Sequence, residues 1–287
     1  MNKVLITGGA GFVGTALIKK LIRKYKNLEI VSIDNYSSGS VNNHVKSKKV
    51  TYLDKDTQNL VPKKFGINDT KMDLADAFEP DIVFHFGEFS RIVTSFDSFD
   101  KCWDYNMQGT KMVLDYCVAK KAKLVYSASS SKFGNDGKDE NLSPYAWMKA
   151  KMVELIKNYS EWFGLKYEIT YFYNAYGPGQ IRTGDYATVI GIFEEQYSKG
   201  EPLTVVEPGE QSRDFTHIND IVSGVVLAAE KGRQDEYPLG TAISHKIIDV
   251  AKMFNHEYVM IPERRGERFY GKAIPSVTYQ HLGWGAK

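Results

Sequence analysis

Tyr145 and Lys149 stand four residues apart in the stretch Ser143-Pro144-Tyr145-Ala146-Trp147-Met148-Lys149. On a helix that spacing puts both side chains on one face, a turn apart. A phenol keeps its proton until about pH 10. A neighbouring ammonium stabilises the phenolate, so the pair can act as a general base near neutral pH. Tyr and Lys at this spacing also occur on solvated helix faces, so the pair carries chemistry only if other groups converge on it. A second stretch, Gly8-Gly9-Ala10-Gly11-Phe12-Val13-Gly14, has glycines at 8, 11 and 14. The first permits a tight turn, the second lets backbone approach a pyrophosphate, and the third allows a helix to pack closely on a sheet.

The elements around these stretches are legible from periodicity. Val4-Leu5-Ile6 reads as a buried strand, 12–24 as a helix with Leu17, Leu21 and Ile22 inward, and 29–33 as a strand ending at Asp34. A carboxylate twenty residues beyond Gly14 can accept from both ribose hydroxyls of an adenosine. It would repel a 2′-phosphate, which favours NAD over NADP. Further strands are expected at 50–53, 81–86, 124–127 and 167–173, with helices at 73–78, 98–119 and 144–163. This alternation predicts an α/β, doubly wound parallel sheet. Beyond it, helices are expected at 186–198, 219–231 and 244–254 and a strand at 203–206, punctuated by Pro178, Pro202, Pro208, Pro238, Pro262 and Pro275. The expected organisation is a dinucleotide-binding domain of residues 1–173 with 215–243, and a smaller interwoven substrate lobe of 174–214 with 244–287.

In doubly wound sheets ligands sit beyond the carboxyl ends of the strands. Ser127 to Ser131 follows the fifth strand and Tyr145 and Lys149 open the next helix, so hydroxyl, phenol and ammonium converge above the dinucleotide. This set resembles the extended short-chain dehydrogenase/reductase family, and its nucleotide-sugar epimerases and dehydratases in particular. The resemblance spans nearly the whole chain. It continues through Phe84-His85-Phe86-Gly87, Asn106, Ser129, Asn174-Ala175-Tyr176-Gly177-Pro178 with Gln180, Arg213-Asp214-Phe215 with His217 and Asp220, Arg264-Arg265-Gly266-Glu267, and Leu282-Gly283-Trp284.

The resemblance implies roles. Tyr145 takes the proton from the sugar C4 hydroxyl, Ser129 hydrogen-bonds the same oxygen, and Lys149 holds the nicotinamide ribose. Gly8, Gly11, Phe12, Val13, Asp34, Asn35, Asp56, Thr57, Phe86, Asn106 and Ser127 match cofactor-contacting positions, together with Tyr145 and Lys149. Asn174, Arg213 and Arg264 match the clamp on a nucleoside diphosphate, a role that suits the guanidinium fork. Arg213 beside Asp214 also reads as an ordinary ion pair. A 4,6-dehydratase of the family carries Asp-Glu after the Ser/Thr, and a decarboxylase carries Glu at the second place. Ser130 and Ser131 stand there instead, so the pattern favours a UDP-hexose or UDP-N-acetylhexosamine 4-epimerase acting through a transient 4-keto sugar. Alternatives are a dehydratase or reductase of the same family, or, from another class, a non-catalytic NAD-binding regulator.

Several positions depart from the family pattern. Phe133 stands where Tyr is usual and Tyr171 where Arg is common. Glu88 occupies a loop that usually holds small neutral residues; its carboxylate reads as a contact to sugar or cationic NAD⁺, or as an ion pair with Arg91. Gly271, seven residues after the matched Arg264, leaves room beside sugar C2 for an acetamido group, which Tyr270 could refill.

Composition bounds the rest. With 287 residues, 43% of them hydrophobic and 25% charged, the chain can build a sizeable core. A net charge of +2 calls for neither nucleic acid nor an anionic membrane surface. Cys102 and Cys117 lack metal-site or redox spacing, the six histidines show no ligand spacing, and no apolar run reaches spanning length. The expectation is a cytoplasmic, metal-free protein with a nucleotide-diphosphate sugar as its partner. The resemblance adds a homodimer built on helices near 99–121 and 144–163.

Overall fold

A computed structural model describes residues 1–61, 74–133 and 140–287. The expectations for the polar stretch from 62, for Asp73 and for Gly134 lie outside the described residues. β1 (Lys3–Thr7), α1 (Phe12–Lys24), β2 (Glu29–Asp34) and β3 (Val50–Asp54) open the chain, followed by α2 (Leu74–Ala77) and β4 (Ile82–His85). A helical stretch comes next: α3 (Thr94–Asp97), α4 (Phe99–Trp103), a π-helical segment (Asp104–Gly109) and α5 (Thr110–Lys120). β5 (Lys123–Ser129), α6 (Pro144–Phe163) and β6 (Tyr167–Phe172) complete the alternating part.

The remaining elements are β7 (Ala175–Tyr176), α7 (Val189–Lys199), β8 (Leu203–Val206), β9 (Ser212–Asp214), β10 (Thr216–His217), α8 (Ile218–Lys231), β11 (Glu236–Leu239), β12 (Ser244–Lys246), α9 (Ile247–Met253), β13 (Tyr258–Ile261) and α10 (Ser276–Leu282).

The central sheet has seven parallel strands in the order β11-β6-β5-β4-β1-β2-β3. Val4, Leu5 and Ile6 are wholly buried, because helices cover both faces of a parallel sheet. Val113, Leu114, Met152 and Ile156 pack with Leu5 and Val83 on one face. Leu17, Leu21, Ile221 and Val225 pack with Val4 and Ile6 on the other.

Three departures from the sequence reading have physical causes. β11 is a seventh strand that Pro238 disguised; it lies at the sheet edge, where a missing N–H costs no ladder bond. The helix expected at 244–254 begins only at Ile247, because Ser244–Lys246 pairs antiparallel with Ser212–Asp214. The helix expected at 186–198 starts at Val189, capped by the Thr188 side chain accepting from the Gly191 amide, which leaves Asp185 to Ala187 in the loop.

The small lobe has its own core of Phe193, Leu203, Val205, Ile247, Val250 and Ala251. Its strands β8 and β13 pair in parallel. Leu282 and Trp284 instead join the core around α1 and α8, and Trp284 donates to the Asp220 carbonyl at 3.1 Å and Ser223 Oγ at 2.9 Å. We therefore propose that the lobe ends before Ser276 and that the last helix belongs with the sheet. Among the described residues no helix is long and apolar enough to cross a membrane.

Candidate active site

The helix that carries Tyr145 and Lys149 starts where its sequence says it should. Ser143 accepts from the Ala146 amide at 3.1 Å, and Pro144 fills the first position, whose N–H has no helical partner. Tyr145 and Lys149 are both buried, at 8% and 4% exposure, and line one cleft of about 720 Å³ with Ser129 and Ser127. Lys149 Nζ donates to the Ser127 carbonyl at 2.7 Å and forms a short ion pair with Glu88. Both partners of that pair are almost fully buried.

Glu88 therefore pairs with Lys149 and not with Arg91. Its other oxygen accepts from Tyr126 Oη at 2.9 Å and Thr110 Oγ1 at 2.9 Å. Burial, with Glu88 beside it, holds the Tyr126 phenol well above its usual range, so it stays a donor. Thr110 spends its proton on Glu88 and so accepts from His85 Nε2 at 2.9 Å. The opposite His85 nitrogen then accepts from Thr7 Oγ1 at 2.6 Å. Burial pushes His85 down to about 4, and the neutral Nε2–H tautomer satisfies every bond in the chain. A line of buried hydrogen bonds thus runs from the glycine-loop strand to the carboxylate that holds Lys149. Glu88 stands out in the sequence as a departure from the family pattern, but its partner 61 residues away is not legible there.

The glycine loop closes the other end. Gly8 has φ +72°, and a Cβ on it would lie 2.8 Å from the Gly87 amide. A Cβ on Gly14 would lie 2.2 Å from the Gly8 carbonyl oxygen, so helix and loop could not close on each other. Gly11 is different: a Cβ there would meet only that carbonyl, at 3.3 Å, and would otherwise enter the cleft. No side chain caps the start of α1, so its first N–H groups remain for a phosphate. Asp34 accepts from the Ala10 and Tyr36 amides, each at 2.9 Å, one on each oxygen. Burial raises its carboxyl and the two amides oppose that. A carboxylate oxygen accepts more than one bond, so Asp34 can still take ribose hydroxyls. These residues fit a dinucleotide, and NAD supplies a hydride acceptor when bound there.

Phe12, Val13, Asn35, Thr57 and Phe86 also line the cleft. Asp56 reaches it through Asn35, whose Nδ2 donates to Asp56 Oδ1 at 2.5 Å. Asn106 is fully buried and holds the Phe89 backbone by two bonds of 2.7 and 3.0 Å. It sits in the π-helical segment, which turns its amide toward that loop backbone. Phe133 and Tyr171, the paired departures, pack together with ring centroids 4.7 Å apart, and the Tyr171 hydroxyl goes to Glu236. Neither faces the ligand cleft.

At the sugar end, Asn174, Arg213 and Arg264 all line the cleft. Asn174 Nδ2 donates to the Asp214 carbonyl at 3.0 Å. Arg213 pairs with Glu267, not with adjacent Asp214. Asp214 instead accepts from the amides of Thr241, Ala242 and Ala273, tying the lobe to the sheet. Sequence reasoning missed Arg268 altogether. It is 5% exposed, donates to Ser130 O at 2.7 Å and Ser130 Oγ at 3.2 Å, and lines the cleft. The space left by Gly271 is not open: a Cβ there would stand 2.1 Å from Arg268 Nη2. Tyr270, by contrast, is exposed and does not refill it. Both cysteines are free and buried, and burial drives Cys102 up to about 12.

Comparison with known proteins agrees with this geometry. The family model described as the NAD dependent epimerase/dehydratase family matches residues 4–240. A putative UDP-glucose 4-epimerase of Methanocaldococcus jannaschii is 27% identical over 98% of this chain and 92% of its own. A dTDP-D-glucose 4,6-dehydratase of Dictyostelium discoideum is 30% identical over 88% of this chain and 61% of its own. The crystal structure of a Thermotoga maritima UDP-glucose 4-epimerase with UDP-glucose superposes with TM-score 0.88 at 25% identity, covering 99% of this chain and 94% of that one. The chain belongs to the NAD dependent epimerase/dehydratase family, and its cofactor is NAD.

Proposed function

We propose that this member of the family is a nucleotide-sugar 4-epimerase, acting on a UDP-linked hexopyranose. The observation that carries the reading is the state of the carboxylates along the cleft. Removing water from a 4-keto sugar needs an acid–base pair beside the reacting carbon. Serines occupy the two positions after Ser129, and Ser130 Oγ already accepts from Arg268. Glu88 is held by Lys149 and Glu267 by Arg213, while Asp34 lies at the adenosine end. Asp185, the other carboxylate lining the cleft, is exposed on the loop before α7, so the reading turns on the serines that directly follow Ser129.

In this reading Tyr145 removes the proton of the C4 hydroxyl while Ser129 Oγ holds that oxygen. Ser131 Oγ donates to Ser129 Oγ at 2.8 Å, which fixes the hydroxyl and leaves its own proton for the substrate. NAD⁺, held by the glycine loop and Asp34, would supply the hydride acceptor for C4. Lys149, anchored by Glu88 and the Ser127 carbonyl, lies one helical turn from the base and would hold the cofactor ribose. Asn174, Arg213 and Arg264 hold the diphosphate while the sugar turns over. The intact Ser129, Tyr145 and Lys149 argue against a non-catalytic regulator, which needs no proton-transfer groups.

Exposed aromatics on the two helices expected to pair, Phe99 and Trp103 on one and Trp162 and Phe163 on the other, support a homodimer, testable by light scattering. To test the activity, the NAD-loaded protein is incubated with UDP-glucose, UDP-N-acetylglucosamine and UDP-glucuronate and followed by NMR. The expected product is a C4 epimer with no net NADH. A 4-keto-6-deoxy sugar, or NADH accumulating in proportion to product, would overturn the assignment.

A further inference from the structure

Three guanidiniums that line the cleft, those of Arg91, Arg264 and Arg268, have no carboxylate partner among the described residues; Arg264 is exposed, and the other two are partly or wholly buried. Arg268 spends two donor contacts on Ser130 and is otherwise enclosed. Arg91, partly buried on the loop after β4, donates from Nε to the Asp185 carbonyl at 3.2 Å and from Nη1 to the Ser90 carbonyl at 2.8 Å, with the Tyr186 ring 5.7 Å away. Both line the cleft that holds Ser129 and Tyr145, and both lie within electrostatic reach of the Tyr145 phenol. Glu267, next to Arg268 in the chain, is committed to Arg213.

A buried cation whose hydrogen-bond partners are all neutral is costly, and the cost is offset when a further counter-charge arrives. Burial, then the nearby Arg213, push the Arg268 guanidinium down to about 10, against the opposing influence of Tyr173, Glu267 and Tyr145. Glycine at 271 is what makes room for it, since any side chain there would collide with Nη2. The place of this charge also matters. Arg268 is tied to the residue after Ser129, so it sits at the reacting sugar.

We propose that Arg268, seconded by Arg91, is a specificity residue for an acidic sugar: it receives a carboxylate carried by the hexopyranose, making a nucleotide-linked hexuronate the preferred substrate. This rests on the reading of the site as a nucleotide-sugar 4-epimerase. The guanidinium fork matches a carboxylate in two parallel hydrogen bonds, which a hydroxymethyl group cannot supply. An acetamido group has no charge to offer, so the glycine at 271 serves the arginine and not an N-acetyl substituent.

The test uses calorimetry on the NAD-loaded protein. UDP, dTDP, GDP, CDP and ADP are titrated first, and the tightest-binding base is carried forward as its glucose and glucuronate conjugates. The glucuronate conjugate is expected to bind at least about tenfold more tightly than the glucose conjugate. Arg268→Leu should erase that preference while the bare diphosphate binds within about threefold of wild type. Arg268→Lys, keeping the charge but losing the fork, should retain part of it. Arg91→Leu should weaken it in the same direction, and stands in if the leucine variant at 268 fails to fold. Equal binding of the two conjugates by the wild type overturns the proposal. So does an Arg268→Leu variant that loses the bare diphosphate as severely, which would make Arg268 a phosphate ligand. If no diphosphate binds at all, the nucleotide-sugar reading has failed and takes the proposal with it.

Discussion

The two ends of the cleft treat charge in opposite ways. At the cofactor end charges already have partners within the protein: Lys149 with Glu88, Lys55 with Asp76, Asp34 with two backbone amides. At the sugar end Arg268 and Arg91 meet carbonyls and hydroxyl only. The first end is therefore organised before any ligand binds, and its groups stabilise the fold. At the second end Arg213 is paired with Glu267, and under the proposal above Arg268 and Arg91 are left for the ligand, at some cost in stability. Preorganisation suits a cofactor that stays through each turnover; an open charge suits a substrate that must be selected each time.

That contrast can be broken or sharpened by variants. The largest effect should come from the group between the two ends. Tyr145→Phe should lower turnover by about 10²- to 10⁴-fold, the span of general-base catalysis, with an unchanged melting curve. Epimer formation followed by NMR checks the first part and differential scanning calorimetry the second. Next is Glu88→Gln, which leaves Lys149 buried without its counter-charge. Urea unfolding should show a loss of about 3–5 kcal/mol, as for other broken buried pairs. A loss below about 1 kcal/mol, the level of a surface pair such as Lys24–Glu230, would show that the cofactor end is not preorganised by charge.

A third effect is set by pH. His85 is neutral in the folded protein, with its value pushed down to about 4 from an ordinary value near 6.5. A depressed histidine leaves the folded state unprotonated while the unfolded chain gains a proton. Stability should be fully present above pH 6.5 and fall by about 1.4 kcal/mol per unit as pH drops toward 4. Denaturation at pH 7, 6 and 5 measures the slope, and His85→Gln should flatten it. The smallest effect is the most telling for the contrast. Arg268→Leu should change unfolding free energy by less than about 1 kcal/mol, or raise it, because removing an uncompensated buried charge relieves its desolvation. A loss as large as that of Glu88→Gln would mean that Arg268 is a structural residue like those at the other end.

Legibility in the sequence follows the same division. The glycine loop, Asp34 and the Ser143-Pro144 start of α6 were readable because local spacing and backbone demands dictate them. The helix α1 and strand β2 fall at the expected bounds. What could not be read depends on which chain segments the fold brings together. Glu88 finds Lys149 across two strands, and Arg213 chooses Glu267, 54 residues on, over its neighbour Asp214. Gly271 suggested open room, yet the room is filled by a side chain three residues earlier in the sequence. That Asn106 bonds the Phe89 backbone was not legible either, since a π turn decides where its amide points. Pro238 read as a break although an edge strand tolerates it.

The central claim is that Tyr145 and bound NAD move the C4 hydrogen off the sugar and back without exchange. It is tested most directly by running the NAD-loaded protein with the best-binding nucleotide sugar in D₂O and reading the product by NMR. The account predicts a C4 epimer that keeps its original hydrogen at C4 and gains no carbon-bound deuterium. Deuterium appearing at C5 or C6 of the product would contradict it.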